Sequence, residues 1–274
     1  MRADQILPGA LRFLFLGFCG LIFLFLVAPL LAIMPLSFNS EPFFTYPLPG
    51  LSLRWYQDFF DSPVWQLALK NSVIVGVCAT VIATVLGTSA AIGLSRRDCP
   101  WKAALLAVLI SPMIVPIVVA AAGVYFFFAD IGLLNTLTGL ILAHAALGAP
   151  FVVVTVSATL TGFDGTLMRA ASGLGAAPGT AFRRVMLPLI LPGVVSGALF
   201  AFVTSFDDVV FALFLTGSEQ RTLPRQMFSG IREQISPTIT AVATLLTGFA
   251  VVLLICVRGL QRRSERMRRP SFDQ

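Results

Sequence analysis

Adjacent carboxylates occur once in this chain, as Asp207-Asp208 in the run Ser205-Phe206-Asp207-Asp208-Val209-Val210, with apolar sequence on both sides. Acidic side chains are costly in lipid, so they turn toward a cavity, a partner or a solute path. Two readings are open. The pair gates one end of a pathway and bonds to neighbouring helices, or it attracts a cationic solute directly. On a continuous helix, neighbouring residues point about 100° apart, so one carboxylate would face the path and the other a neighbour. Phe206 and Phe211 flank the pair, and Tyr125 begins the aromatic run Tyr125-Phe126-Phe127-Phe128. Most such rings pack or meet lipid, and a minority line cation paths through their quadrupoles.

The other reactive residue types offer less. The only histidine, His144, lies in an apolar stretch. A hydrolase would need it to meet a serine such as Ser111 or Ser157, and no nucleophile motif supports that pairing. A hydrogen bond between helices is the simpler role. One histidine and separated cysteines form no zinc set. Cys19, Cys78 and Cys256 sit in apolar stretches and Cys99 in a basic turn, so all four read as free thiols. The pattern G-x-x-x-x-G-K-[ST] is missing, so this chain does not bind ATP through a P-loop. No cofactor is expected on it. Any ATP-driven work must come from another polypeptide.

The elements that would hold these residues are membrane helices. Hydrophobic residues make up 57 % of the 274, charged ones only 12 %, and mean hydropathy is +0.89. Soluble domains carry about twice that charged fraction. The pattern predicts an all-α integral membrane protein, one transmembrane domain over 1–274, with six spans at about 11–36, 71–94, 103–128, 137–160, 189–215 and 238–260. The first apolar run is longer than a signal-peptide core and lacks a convincing cleavage site, so it reads as a retained span. The third holds Pro112 and Pro116 and should be kinked or locally unwound. In the second, Gly76, Ala79, Ala83, Gly87 and Ala90 recur at three- and four-residue spacing, which lets another helix approach closely. Residues 53–60, near Trp55, Tyr56 and Trp65, suit an interfacial helix.

The longest polar interruption in the second half is 163–193, FDGTLMRAASGLGAAPGTAFRRVMLPLILPG. It predicts a helix over 168–174, a left-handed stop at Gly175, and a second helix started by Pro178. Ala181, Phe182, Val185 and Met186 give that second helix one apolar face. Such a helix either lies on lipid headgroups, with Arg183 and Arg184 toward phosphate, or needs a partner surface.

These residues resemble the EAA loop of the membrane subunits of bacterial ABC importers. Ala170, Ala171, Gly175, Val185, Leu187 and Pro188 fall at the family's positions. Arg169 stands where the family usually has Glu. The resemblance implies the type I importer permease fold, with this coupling loop (163–188) between the fourth and fifth spans. It implies that Arg169, Ala170, Ala171, Leu174, Gly175, Ala176 and Phe182 dock in a groove of a cytoplasmic ATPase. SFDDVVFALFLTG and TLPRQMFSGIREQISPTITAVATLL are similar to the spermidine/putrescine type. That family implies a second homologous permease subunit, two ATPase subunits carrying ATP and magnesium, and a periplasmic binding protein meeting the segment 222–236.

Charge gives an orientation. Of 19 Lys and Arg residues, only Arg54, Lys70, Arg221, Arg225 and Arg232 fall in the segments between spans one and two, three and four, and five and six. The remainder, including Arg2, Arg97 and the tail RRSERMRR, fall on the opposite side, so both termini are expected in the cytoplasm of an inner membrane. That distribution also accounts for the net charge of +6 without a nucleic-acid partner; membrane lipid is the expected surroundings. The expected function is a non-catalytic permease subunit of an ATP-driven polyamine importer. The rivals are the same machinery serving another small solute, such as an amino acid or related amine, and a proton-coupled secondary transporter using Asp207 or Asp208.

Overall fold

The computed structural model describes residues 9–96, 98–233 and 236–268. Arg2, Arg97 and Arg269, counted above for orientation, and Gln234 and Ile235 of the segment 222–236, lie outside them. Every regular element among the described residues is helical. Five helices are long and apolar enough to cross a membrane, or six if one sharply bent pair is a single span.

Contacts divide the chain into two compact units, 1–62 with 230–255, and 63–229 with 256–274. The first holds α1 (Gly9–Leu36), α2 (Arg54–Asp61) and most of α12 (Pro237–Arg268). The link from α1 to α2 is tied by its own polar groups. Trp55 Nε1 donates to the Asn39 carbonyl at 2.6 Å, Asn39 Nδ2 donates to the Phe43 carbonyl, and Ser37 Oγ bonds the Tyr56 hydroxyl at 2.7 Å. Trp55 is buried, and its N–H finds a partner within the fold.

The second unit carries both candidate regions. Its scaffold is α3 (Pro63–Ser95), α6 (Leu137–Thr161) and α9 (Leu187–Asp207). Pro63 begins α3, where its missing N–H costs nothing, and the helix starts eight residues before the expected span. At 33 residues and about 1.5 Å rise per residue it is longer than the hydrocarbon core. The three helices meet on small residues. A Cβ added at Gly148 of α6 would stand 2.9 Å from Ala201 Cβ and 3.3 Å from Ala83 Cβ, so the α6 backbone rests on α9 and α3 at once. Val152, Val156, Leu160 and Ile190 continue the same core.

The third expected span is two helices. α4 (Lys102–Ile114) and α5 (Ile117–Asp130) are bent by 103°. Val115 precedes Pro116 and is extended, at ψ 133°, as the pyrrolidine ring demands of its predecessor. α5 packs its Ala121 and Phe128 with Leu140, Ala143, Phe211 and Leu215. α4 has no buried residue.

The fifth expected span also breaks. α9 ends at Asp207, and α10 (Val210–Leu215) starts after two residues. Ahead of α9, the short α8 (Pro178–Ala181) and a π-turn (Phe182–Met186) run into it without interruption, giving one apolar helical stretch from Pro178 to Asp207. The π-turn has a local cause. A proline at 188 removes an N–H and would crowd the Arg184 carbonyl four residues back. A wider turn just before it moves that carbonyl aside. The expectation of a helix separate from the span is corrected accordingly.

Candidate functional site

The two acidic residues do not share a helix, contrary to the expectation of two neighbours on one continuous turn. Asp207 closes α9 and is exposed. Asp208 is 7 % exposed, with extended backbone at ψ 126°, and its side chain turns into the protein. Its Oδ2 accepts the Ala212 N–H at 3.3 Å, holding the first turn of α10. The same oxygen lies 3.4 Å from His144 Nε2. The other face of the imidazole is engaged: His144 Nδ1 and Ser205 Oγ are 2.8 Å apart. Phe211 meets the ring edge-on, with centroids 6.4 Å apart. One histidine of α6 thus joins α9, the break and α10. Asp208 Oδ1 and His144 Nε2 are buried without a hydrogen bond of normal geometry.

His144 therefore meets Ser205, not Ser111 or Ser157. No spacing in the sequence announces this pair, whose members stand 61 residues apart. Phe206 stacks on Phe202 at 5.3 Å, beside Gly76 of α3. Tyr125 sits edge-on to Phe126 on α5.

The second region is the link from α6 to α9. α7 (Thr166–Gly173) is capped by its own neighbours. Asp164 accepts the Thr166 hydroxyl at 2.6 Å and the Thr166 N–H at 2.8 Å. These bonds, the hydroxyl first, hold its carboxyl below the ordinary 3.8, with a smaller pull from the Arg169 guanidinium. The unusual Arg169 thus has an acidic companion within the chain. At the other end, the Gly175 N–H reaches the Ser172 carbonyl and the Ala176 N–H reaches the Ala171 carbonyl, each at 3.0 Å. This double bond pattern needs a left-handed residue, and Gly175 supplies φ +81°. Its consequence is Leu174, which is 90 % exposed. Arg169, Ala170 and Gly175 are exposed as well, whereas Ala171, Ala176 and Phe182 are half-buried. Behind α7 a cleft of about 540 Å³ is lined by Ser95, Phe163, Asp164, Arg169 and Met186, among others.

A third group was not legible in the sequence. The segment after α10 is strapped down from two sides. Asn71 Nδ2 donates to the Glu219 and Arg221 carbonyls at 2.9 and 3.0 Å, and Ser72 Oγ accepts the Leu223 N–H at 2.7 Å. From α11 (Leu223–Glu233), Arg225 donates to the Gly217 carbonyl at 2.7 Å and to the Thr216 carbonyl and hydroxyl. Burial, and secondarily Arg221, push its guanidinium down from its ordinary value. A lone Asn at the start of an apolar run was the available hint.

The class of protein follows from its relatives: it is a membrane component of a binding-protein-dependent transport system, not an enzyme. Residues 83–270 match the family of binding-protein-dependent transport system inner membrane components, and the chain belongs to that family. It is a multi-pass permease subunit of the inner membrane. It is 32 % identical over 248 residues to the spermidine/putrescine transport system permease protein PotC of Haemophilus influenzae, covering 90 % of this chain and 96 % of the relative. It is 33 % identical over 272 residues to the putrescine transport system permease protein PotI of Escherichia coli K12, covering 95 % and 93 %. The fold also matches a chain in the crystal structure of a bacterial ABC transporter involved in the import of the acidic polysaccharide alginate. The TM-score is 0.71, with 16 % identity and coverage of 96 % and 98 %.

Proposed function

We propose that this permease subunit carries polyamines, putrescine or spermidine, from the periplasm to the cytoplasm in an ATP-driven importer. The observation that carries the reading is identity of 32 and 33 % to two polyamine permeases, sustained over at least nine-tenths of each chain. The site chemistry agrees. A diamine has an ammonium at each end and an apolar middle, and Asp207 offers an exposed carboxylate next to the Phe206–Phe202 stack.

In this reading both termini are cytoplasmic, and the α6–α9 link faces the cytoplasm. Leu174 and the exposed face of α7, with Arg169 and Ala170, enter a groove on an ATPase subunit. Ala171, Gly175, Ala176 and Phe182 hold the shape of that link. A second homologous permease completes the pathway, two ATPases supply ATP and magnesium, and a periplasmic binding protein delivers solute near α11. Rocking between two states moves α8 and α9 together, since they form one continuous helical stretch.

The test is uptake in proteoliposomes holding the whole complex. Putrescine should accumulate when ATP is supplied to the ATPase side and should persist with a proton ionophore. Uptake abolished by the ionophore and indifferent to ATP would replace this reading with proton-coupled transport through Asp207 or Asp208. ATP-driven uptake of a neutral solute in place of diamines would keep the machinery and overturn the substrate.

A further inference from the structure

The two neighbouring carboxyls differ in exposure and in partners. Asp207 is exposed. Asp208 is buried, its Oδ2 shared between the Ala212 N–H and the His144 imidazole, with Phe211 edge-on to the same ring. A carboxylate withdrawn from water needs compensating partners. Those available are one backbone N–H, at 3.3 Å, and one histidine, which is itself buried and oriented by Ser205. The break at 208 alone would not turn the side chain inward, because an extended residue can present its side chain to either face.

We infer that His144 is a positioning residue: held by Ser205, it draws Asp208 into the packing of α6, α9 and α10 and leaves Asp207 as the single carboxylate presented to a cationic solute. The solute part rests on the polyamine reading above. The positioning part does not, because it is a statement about this chain with no solute bound.

Two consequences follow from the geometry. The pair Asp207-Asp208 acts as one recognition charge and one latch. Removing His144 should also do more harm than removing both partners, since the single change strands a buried carboxylate while the double change does not.

The experiment uses the full complex in native membranes, with both carboxyls kept. They are labelled with a water-soluble carbodiimide and glycine ethyl ester, and the modification of Asp207 and of Asp208 is read residue by residue by mass spectrometry. Position 207 should label fast and position 208 at least about tenfold more slowly, the ratio expected when a site must open locally before reacting. Adding His144→Ala should remove most of that protection at 208 and leave 207 unchanged. Adding His144→Gln, whose amide can still donate and accept, should keep 208 slow. On the otherwise native chain, His144→Ala should lower the melting temperature of the purified complex, and His144→Ala with Asp208→Asn should recover part of the loss. Equal labelling at 207 and 208 with His144 present would overturn the inference. Protection at 208 that ignores His144→Ala, or a double variant no more stable than His144→Ala, would do the same. None of these readouts contains a polyamine, so the inference can fail while the transport reading stands, and the reverse.

Discussion

The knot around His144 and the loop around Leu174 sit in the same compact unit and solve opposite problems. At the knot, the chain's own groups close the site. Ser205, Asp208 and Phe211 surround one imidazole, and the Ala212 N–H bonds the Asp208 carboxyl. At the loop, the chain closes only its backbone. Asp164 and Gly175 cap the two ends of α7, and the side chain they leave outermost is a leucine at 90 % exposure. In the proposed reading, the first region shapes what the solute meets and the second receives the partner.

That contrast can be broken from either side. The largest effect is expected from the scaffold both regions share. Gly148→Leu places a branched side chain where even a Cβ would press on Ala201 and Ala83. Overpacking of this kind costs about 1–3 kcal/mol or more, and here it parts three helices at once. No assembled complex should be recovered by size-exclusion chromatography in mild detergent, whereas Gly93→Leu, where the added Cβ meets nothing, should assemble normally.

Asp207→Asn tests the exposed member of the acidic pair. It should raise the KM for putrescine uptake by about tenfold, the worth of one charge contact near 1.4 kcal/mol, while the complex melts at its usual temperature. Asn71→Ala should act the other way round. It strands the Glu219 and Arg221 carbonyls at a cost of about 1–3 kcal/mol, so melting should fall while KM stays near its starting value. Equal KM shifts in both variants would erase the distinction between a solute-facing carboxylate and a structural strap.

The smallest effect concerns pH at the loop. Asp164 has its folded value held below 3.8, so its capping contribution is present above that ordinary value and is lost only as pH falls through the lowered one. Solute-stimulated ATP hydrolysis should therefore show no step from Asp164 between neutral pH and about pH 5. Asp164→Ala should lower coupling at neutral pH by less than about threefold, the scale of a lost cap. A titration step near neutrality that Asp164→Ala removes would contradict this assignment.

Much of this architecture was readable before any coordinates. Hydrophobic run lengths marked the helices, and Gly175 with Pro178 marked the loop, because backbone rules at glycine and proline act locally. The breaks were harder. Two prolines announced trouble in the third span, but not a bend of 103°, which depends on the packing of α5 against α6 and α10 rather than on the prolines alone. The break after Asp207 gave no local signal, since Asp-Asp-Val-Val contains no helix breaker. At the break, Asp208 meets His144, sixty-four positions away in sequence, and the Ala212 N–H nearby. Long-range pairs such as His144–Ser205 and Asn71–Arg221 are invisible to periodicity, which sees faces but not what they meet.

In proteoliposomes containing the complete complex with its ATPase subunits, Leu174→Asp should leave the membrane subunit folded, since this side chain is 90 % exposed in it, and should act only on the contact with the ATPase. It should lower ATP-driven putrescine uptake by at least about thirtyfold, the loss expected when a central contact of 2 kcal/mol is removed from an interface. Uptake at the wild-type rate with Leu174→Asp would contradict the claim that this loop is where the partner's motion enters the membrane subunit.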